Sequence, residues 1–375
     1  SIVWVAHTAL WCCIAVALTQ AISPLAIGSG IPEMKSILSG NILYQYLSRR
    51  TLLAKVLGLT AALGSGLPLG KEGPFIHTSC CLCETLLALP AFERLRVSHA
   101  LRTQMLMAAC AVGVSSNFGS PVGGVLFSIE VTSTYFLVSN YWKGFFCAVT
   151  GAVLSRSLFA AWHAESDVDL TEATFQSMLN TEDVAPDLVQ LPAFVLLGAT
   201  CGVLGASFVQ LNAAWSRVLA RWRARMPPGR FRYGIAIILA ILWGLVTMPG
   251  GALGGMMSKS QNESLKELFR GELAAEWTGG ASRPTGEHAN AGDVVLWLWE
   301  TGARLSAYVL LRFLGTCACL GLPLPCGVFA PSLASGAGIG RIAGEVVREL
   351  LPTKGISPGG YAVLGAGAMA AGVTH

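Results

Sequence analysis

Charge is the scarcest property of this sequence. Only 12% of its 375 residues are Asp, Glu, Lys or Arg, about half the share found in soluble domains. Hydrophobic residues make up 53%, and the mean hydropathy is +0.59. A soluble chain of this length could hardly cover its surface with so few charges. The composition also excludes a disordered chain and argues against a nucleic-acid partner. A net charge of +4 says nothing more about partners. Catalytic and nucleotide-binding signatures are missing too: there is no G-x-x-x-x-G-K-[ST], no strand–helix setting around the glycines, and no H-E-x-x-H. Gly355-Ile356-Ser357-Pro358-Gly359 fits G-x-S-x-G as a string. A hydrolase, however, needs a backbone N–H on the residue after the serine, and Pro358 has none. No enzyme constellation is present, and no cofactor is implied. The eleven cysteines are not a disulfide framework, since most, such as Cys12, Cys13, Cys110, Cys201 and Cys317, lie inside apolar runs. Cys80 and Cys83 have C-x-x-C spacing without a second ligand pair, so they read as small buried hydrophobes rather than metal ligands.

What the sequence does have is long apolar runs. Residues 2–22 carry no formal charge and are long enough to cross a bilayer. They lack the basic start and small-residue cleavage site of a signal peptide. Further mainly apolar segments cover 52–70, 74–90, 104–118, 122–138, 144–162, 192–212, 234–254, 303–324, 328–347 and 359–374, a few with isolated charges such as Lys55, Glu84 and Arg312. Several are short or broken by Gly and Pro. In a bilayer such segments must line a cavity or pack on protein, a pattern that marks binding sites in transporters and channels. The expected class is an all-α polytopic membrane protein with broken, tilted helices.

Loop charges give the orientation. From Ser157 to Ser216 there is no Lys or Arg, while Glu165, Asp167, Asp169, Glu172, Glu182, Asp183 and Asp187 cluster there. The next connection, 214–232, holds Arg217, Arg221, Arg223, Arg225, Arg230 and Arg232. The positive-inside rule puts 214–232 in the cytoplasm and 164–188 outside, with the span 192–212 between them. The loop 255–293 then returns outside, where Asn262-Glu263-Ser264 is an N-glycosylation sequon.

Three Gly-rich motifs share one design: Gly28-Ser29-Gly30-Ile31-Pro32-Glu33, Gly70-Lys71-Glu72-Gly73-Pro74 and Gly327-Val328-Phe329-Ala330-Pro331. Each pairs a flexible turn with a proline suited to the first turn of a helix. The unpaired N–H groups of that turn, with the positive end of the helix dipole, can hold an anion without a full positive charge. Partial charges replace hydration well enough for an ion to enter while still letting it leave. Ser29 is the natural hydroxyl donor. Lys71 either attracts anions from a distance or sits in a salt bridge. The plainer reading of each motif alone is a helix-initiating turn. Glu72 is costly to bury between two membrane segments, so it is a functional candidate. At a helix N-terminus its carboxylate could occupy the place of a permeating anion; the other reading is a capping carboxylate at the membrane surface. His77, about one turn after Gly73, reads as a polar contact within the protein rather than a catalytic base.

In this order, the three motifs resemble those of the CLC family of chloride channels and chloride/proton exchangers. The stretch from Gly123 to Ser133 is similar to the plasma-membrane channel branch, and the resemblance runs to His375, with 255–293 its least recognisable part. The resemblance implies the CLC architecture of two inverted repeats, traced here by the helix starts near Ser29 and Phe329. It implies a homodimer with one pore per subunit in the plasma membrane, and chloride as the permeant ligand. By position, Gly28, Ser29 and Gly30 and the amides of Val328 and Phe329 are implied to bind chloride, with Ser29 facing the central ion. Glu72 is implied as the external gate, with Lys71 and Gly73 beside the outer site. Family members with nitrate preference carry Pro where this chain has Ser29, so serine favours chloride. Family exchangers usually carry a second glutamate directly after the one matching Glu130, whereas this chain has Val131. The expected function is therefore gated passive chloride conduction; the alternatives are a chloride/proton exchanger or a truncated non-conducting subunit. The family continues past Tyr361–His375 through further helices and, in many eukaryotic members, cystathionine-β-synthase-type domains. The chain is thus expected to be a partial transmembrane domain.

Overall fold

The computed structural model describes residues 2–132, 138–163, 188–225, 228–251, 254–280, 283–284, 291–352 and 355–374. Among them the chain folds as helices with no strand. The order is α1 (Ile2–Ile22), α2 (Ile31–Leu38), α3 (Arg49–Gly64), α4 (Glu72–Leu87), α5 (Glu93–Val97), α6 (His99–Phe118), α7 (Pro121–Glu130) and α8 (Tyr141–His163). It continues with α9 (Leu191–Arg225), α10 (Pro228–Val246), α11 (Gly254–Met257), α12 (Gln261–Leu268), α13 (Ala275–Thr278), α14 (Ala291–Cys319), α15 (Phe329–Leu350) and α16 (Pro358–Thr374).

Local chemistry sets many of these boundaries. The side chains of Ser48 and Ser120 accept from the N–H groups of Thr51 and Gly123 and open α3 and α7. Ser260 and Glu263 form a capping box on α12. Gly119, at φ 64°, closes α6. Among the described residues four helices, α1, α8, α9 and α14, are long and apolar enough to cross a membrane, and α4 joins the 90–97 segment through a 94° bend, as in a broken span or a re-entrant loop. The 8-residue α2 and 10-residue α7 are too short to cross. They sit against longer neighbours, as expected for segments broken by Gly and Pro.

Among the described residues four apolar clusters hold the helices, two of them large. The larger joins Val16 of α1, Ala240 of α10, Leu268 of α12, Leu305 of α14, Ala334 of α15 and Ala366 of α16. The smaller joins Met34 of α2, Ile76 and Cys80 of α4, and Leu106 and Cys110 of α6. The tightest seam runs between α15 and α16, where a Cβ on Gly336 or Gly340 would overlap the carbonyls of Gly365 or Tyr361. Small residues let the two backbones touch, as membrane helices require in the absence of a hydrophobic drive between them. The cysteines are free thiols, most of them buried, and no group of metal ligands forms among the described residues.

The structure corrects two expectations. The stretch 214–232 is not a loop: α9 runs unbroken for 35 residues to Arg225, and α10 opens at Pro228. Trp215 and Leu219 keep an apolar stripe against the end of α14, with Trp215 Nε1–H donating to Ala318 O at 3.1 Å. The helix therefore persists while its arginines face outward. The stretch 255–293 likewise holds three short helices, because Leu265, Leu268 and Trp277 are fully buried in the larger core. The acidic loop 164–187 and Ser133 lie outside the described residues.

Candidate functional site

The three Gly-rich motifs, remote in sequence, are tied together by backbone. Gly70 and Gly327 exchange two hydrogen bonds, each N–H reaching the other's carbonyl at 2.8 Å. Gly28 N–H donates to Leu324 O at 3.0 Å, and Cys326 N–H donates back to Gly28 O at 3.3 Å. These short bridges bring the starts of α2, α4 and α15 together. Gly30 enters α2 at φ 93°, a left-handed conformation that costs a side chain about 1 kcal/mol or more. A Cβ on Gly73 would overlap Ser29 Oγ, which fixes how closely α4 approaches the first motif.

Glu72 is the first residue of α4 and only 4% exposed. Burying a carboxylate without partners costs several kcal/mol, on the order of the stability of a whole domain. Besides its own backbone N–H, its partners come from other helices. Ala330 N–H, in the first turn of α15, donates to Glu72 Oε2 at 3.2 Å. Asn117 Nδ2–H, near the end of α6, donates to Oε1 at 3.4 Å. Among the described residues no Lys or Arg pairs with it. The carboxylate is hydrogen-bonded only to neutral donors, at the positive end of a 22-residue helix, with the Lys71 charge next to it in sequence acting on it without a salt bridge. The side chain is buried, and it takes the Ala330 amide of α15 as well as its own backbone N–H at the start of α4.

Cavities lie at this contact and at the first motif. One of about 380 Å³ is lined by Lys71, Glu72 and Ala330, together with Trp4, Asn262 and Arg312. The other, of about 330 Å³, is lined by Gly28, Ser29, Asn212, Cys326 and Val328. Phe329, between Val328 and Ala330 in sequence, meets Phe118 at 5.6 Å and Phe127 at 5.7 Å, both edge-on. Among the described residues Ser29 Oγ accepts only a long bond from Ile31 N–H, at 3.5 Å.

Gly28, Ser29, Gly30, Lys71, Glu72, Gly73, Val328 and Phe329 thus gather in one place. Lys71 lies 5.9 Å from the centre of the Phe75 ring and forms no salt bridge among the described residues. His77 is a packing group: its Nε2 lies 3.1 Å from Tyr46 O and its ring stacks on Tyr46. Val131 stands apart as the half-buried C-cap of α7, next to exposed Glu130. Asn262 is part of α12, partly buried, and borders the Glu72 cavity. Lys55 is a site residue that sequence reasoning did not assign. It is fully buried, and its Nζ donates to Gly28 O at 2.7 Å and Ala26 O at 3.1 Å, fixing the peptide that precedes Ser29. Its signal was an isolated lysine in an apolar run. Asn117 gave no such signal.

Fold and site together define a polytopic membrane protein built around converging helix N-termini. The chain belongs to the voltage-gated chloride channel family, whose model matches residues 11–375. It is 39% identical to chloride channel protein 2 of Rattus norvegicus, covering 99% of this chain and 42% of that protein. It is 39% identical to chloride channel protein 2 of Drosophila melanogaster, covering 100% and 32%, and 36% identical to chloride channel protein 1 of Rattus norvegicus, covering 99% and 38%. The chain thus spans less than half the length of these relatives. A eukaryotic CLC transporter of known structure superposes with a TM-score of 0.73 at 33% identity, over 99% of this chain and 57% of that one. A slow cyanobacterial Cl⁻/H⁺ antiporter shares the fold at a TM-score of 0.70 and 20% identity, over 99% and 74%.

Proposed function

We propose that this chain forms the pore of a gated, passive chloride channel. The observation that carries the reading is the Glu72 carboxylate on the Ala330 amide. An anion already sits where helix α15 presents its N–H groups, and it is tethered to α4. Chloride entering from either cavity meets the same partial charges. The amides of Val328 and Phe329, the Gly28–Gly30 turn and the Ser29 hydroxyl bind it in passage. Glu72 closes the path while bound at Ala330 and opens it when displaced or protonated. Lys71, bordering the Glu72 cavity, raises the local chloride concentration, and Gly73 gives Ser29 its room.

The arginine-bearing end of α9 lies on the same side as the Ser29 cavity, which Asn212 of α9 lines. By the positive-inside rule that side is cytoplasmic, and the Glu72 cavity opens outside. The complete protein acts in this reading as a plasma-membrane homodimer with a pore in each subunit. Proteins named as channels and a protein named as an antiporter share this fold, so side chains make the distinction. Val131 offers no proton at the end of α7, and this favours conduction over exchange. Reconstituting the chain in liposomes with a chloride gradient tests the reading. Chloride efflux that Glu72→Gln accelerates supports it. Absence of efflux from well-folded protein would leave a non-conducting subunit and overturn it.

A further inference from the structure

The arginines at the end of α9 are not used by the site. Arg217, Arg221 and Arg225 are exposed and recur at i, i+4 and i+8, so they form one stripe with steps of about 6 Å along the axis. Arg217 and Arg221 direct Nε–H only at the carbonyls one turn back, Ala213 and Arg217, at 3.4 Å. The ion pairs among the described residues include none of the three, and the sequence from Leu188 to Ser260 contains no Asp or Glu. Among the described residues the stripe is therefore a row of positive charge with no ion pair. It continues directly from the apolar part of a helix long enough to cross a membrane.

Two neighbouring features set its surroundings. Trp222, 41% exposed, packs edge-on against Trp215 at 6.2 Å, and tryptophans of this kind gather at the headgroup level of a bilayer. Ala214, Val218 and Ala220 leave a shallow groove on α9 beside Arg217 and Arg221. A single-phosphate lipid reaches one guanidinium. Three guanidiniums stacked away from the membrane over about 12 Å match a headgroup that carries several phosphates outward.

We propose that the α9 stripe binds a polyphosphorylated inositol lipid of the cytoplasmic leaflet, with its phosphates on Arg217, Arg221 and Arg225 and its glycerol end in the Ala214–Val218 groove. Each basic residue near an anionic surface contributes enough for about a fivefold gain in affinity, so the stripe supplies about a hundredfold. The test uses the full-length protein in phosphatidylcholine nanodiscs, with a fluorescent phosphatidylinositol 4,5-bisphosphate as the probe. The expected result is saturable binding that falls about a hundredfold in R217Q/R221Q/R225Q. It should persist largely in the corresponding triple lysine variant and be unchanged in R94Q/R96Q, which alters another exposed basic segment. Equal binding by wild type and the triple glutamine variant, with matching size-exclusion profiles, would overturn the proposal. So would competition by soluble inositol 1,4,5-trisphosphate as strong as that by the unlabelled lipid, since the site would then hold a soluble polyanion. Binding of phosphatidylserine as tight as that of the bisphosphate would also overturn it, because the stacked charges would not be read.

Discussion

Replacing Glu72 with Gln removes one charge and almost no volume. The substituted amide side chain can still present a carbonyl oxygen to Ala330 N–H, where the carboxylate now accepts at 3.2 Å. A hydrogen bond to a charged acceptor contributes about 1.5–3 kcal/mol and a neutral one about 0.5–1.5. That difference is about 1–1.5 kcal/mol for the Ala330 bond; the 3.4 Å Asn117 contact is long and adds less. The N-terminal field of α15 adds up to about 2 kcal/mol for a partly buried carboxylate. Together the blocking position loses about 2–3 kcal/mol, or about 30- to 150-fold in occupancy against chloride. In patch-clamp recordings of the full-length protein, Glu72→Gln should therefore raise open probability at least tenfold at voltages where wild type is mostly closed. The remaining curve should be nearly flat in voltage and in external pH. Activation curves that superpose on wild type at equal surface expression would refute the placement of this carboxylate in the ion path.

Ser29→Pro removes the hydroxyl but leaves the opening amides of α15, so the nitrate-to-chloride permeability ratio from bi-ionic reversal potentials should rise while current persists; an unmoved ratio would mean that the hydroxyl does not face the ion. Lys55→Met leaves the Ala26 carbonyl without its Lys55 donor and Gly28 O with the longer Cys326 bond alone, at about 1–3 kcal/mol for the stranded carbonyl. The melting temperature of the solubilised protein and the current per surface molecule should both fall, and preservation of both would contradict the role given to Lys55.

The broken helices and the converging motifs were legible in the sequence because glycine and proline punctuate an apolar chain at Gly28–Pro32, Gly70–Pro74 and Gly327–Pro331. Such signals are local: they show where a helix begins, not what lies opposite it. Nothing local says that Glu72 reaches Ala330 across a Gly70–Gly327 bridge, or that Asn117 completes its shell, since both depend on contacts between residues far apart in sequence. Lys55 showed itself as a charge in the wrong place, but its partners are carbonyls, which carry no sequence signal. The extension of α9 to Arg225 was hidden for a different reason. Arginine is a good helix former, and counting charges marks where a segment leaves the membrane, not where its helix ends. The short helices within 255–293 were masked by the polar residues around Leu265, Leu268 and Trp277, which on their own look like loop.

The proposal of passive ion movement rests on Val131, at the end of α7. The resemblance implies that exchangers usually carry a glutamate there, and Val131 has no proton to give; Glu130 precedes it by one position, about 100° around a helix axis. The measurement is the reversal potential of the full-length protein at fixed chloride while external pH is stepped up and down. Passive conduction predicts reversal at the chloride equilibrium potential at every pH, and a reversal potential that shifts systematically with the proton gradient would contradict it.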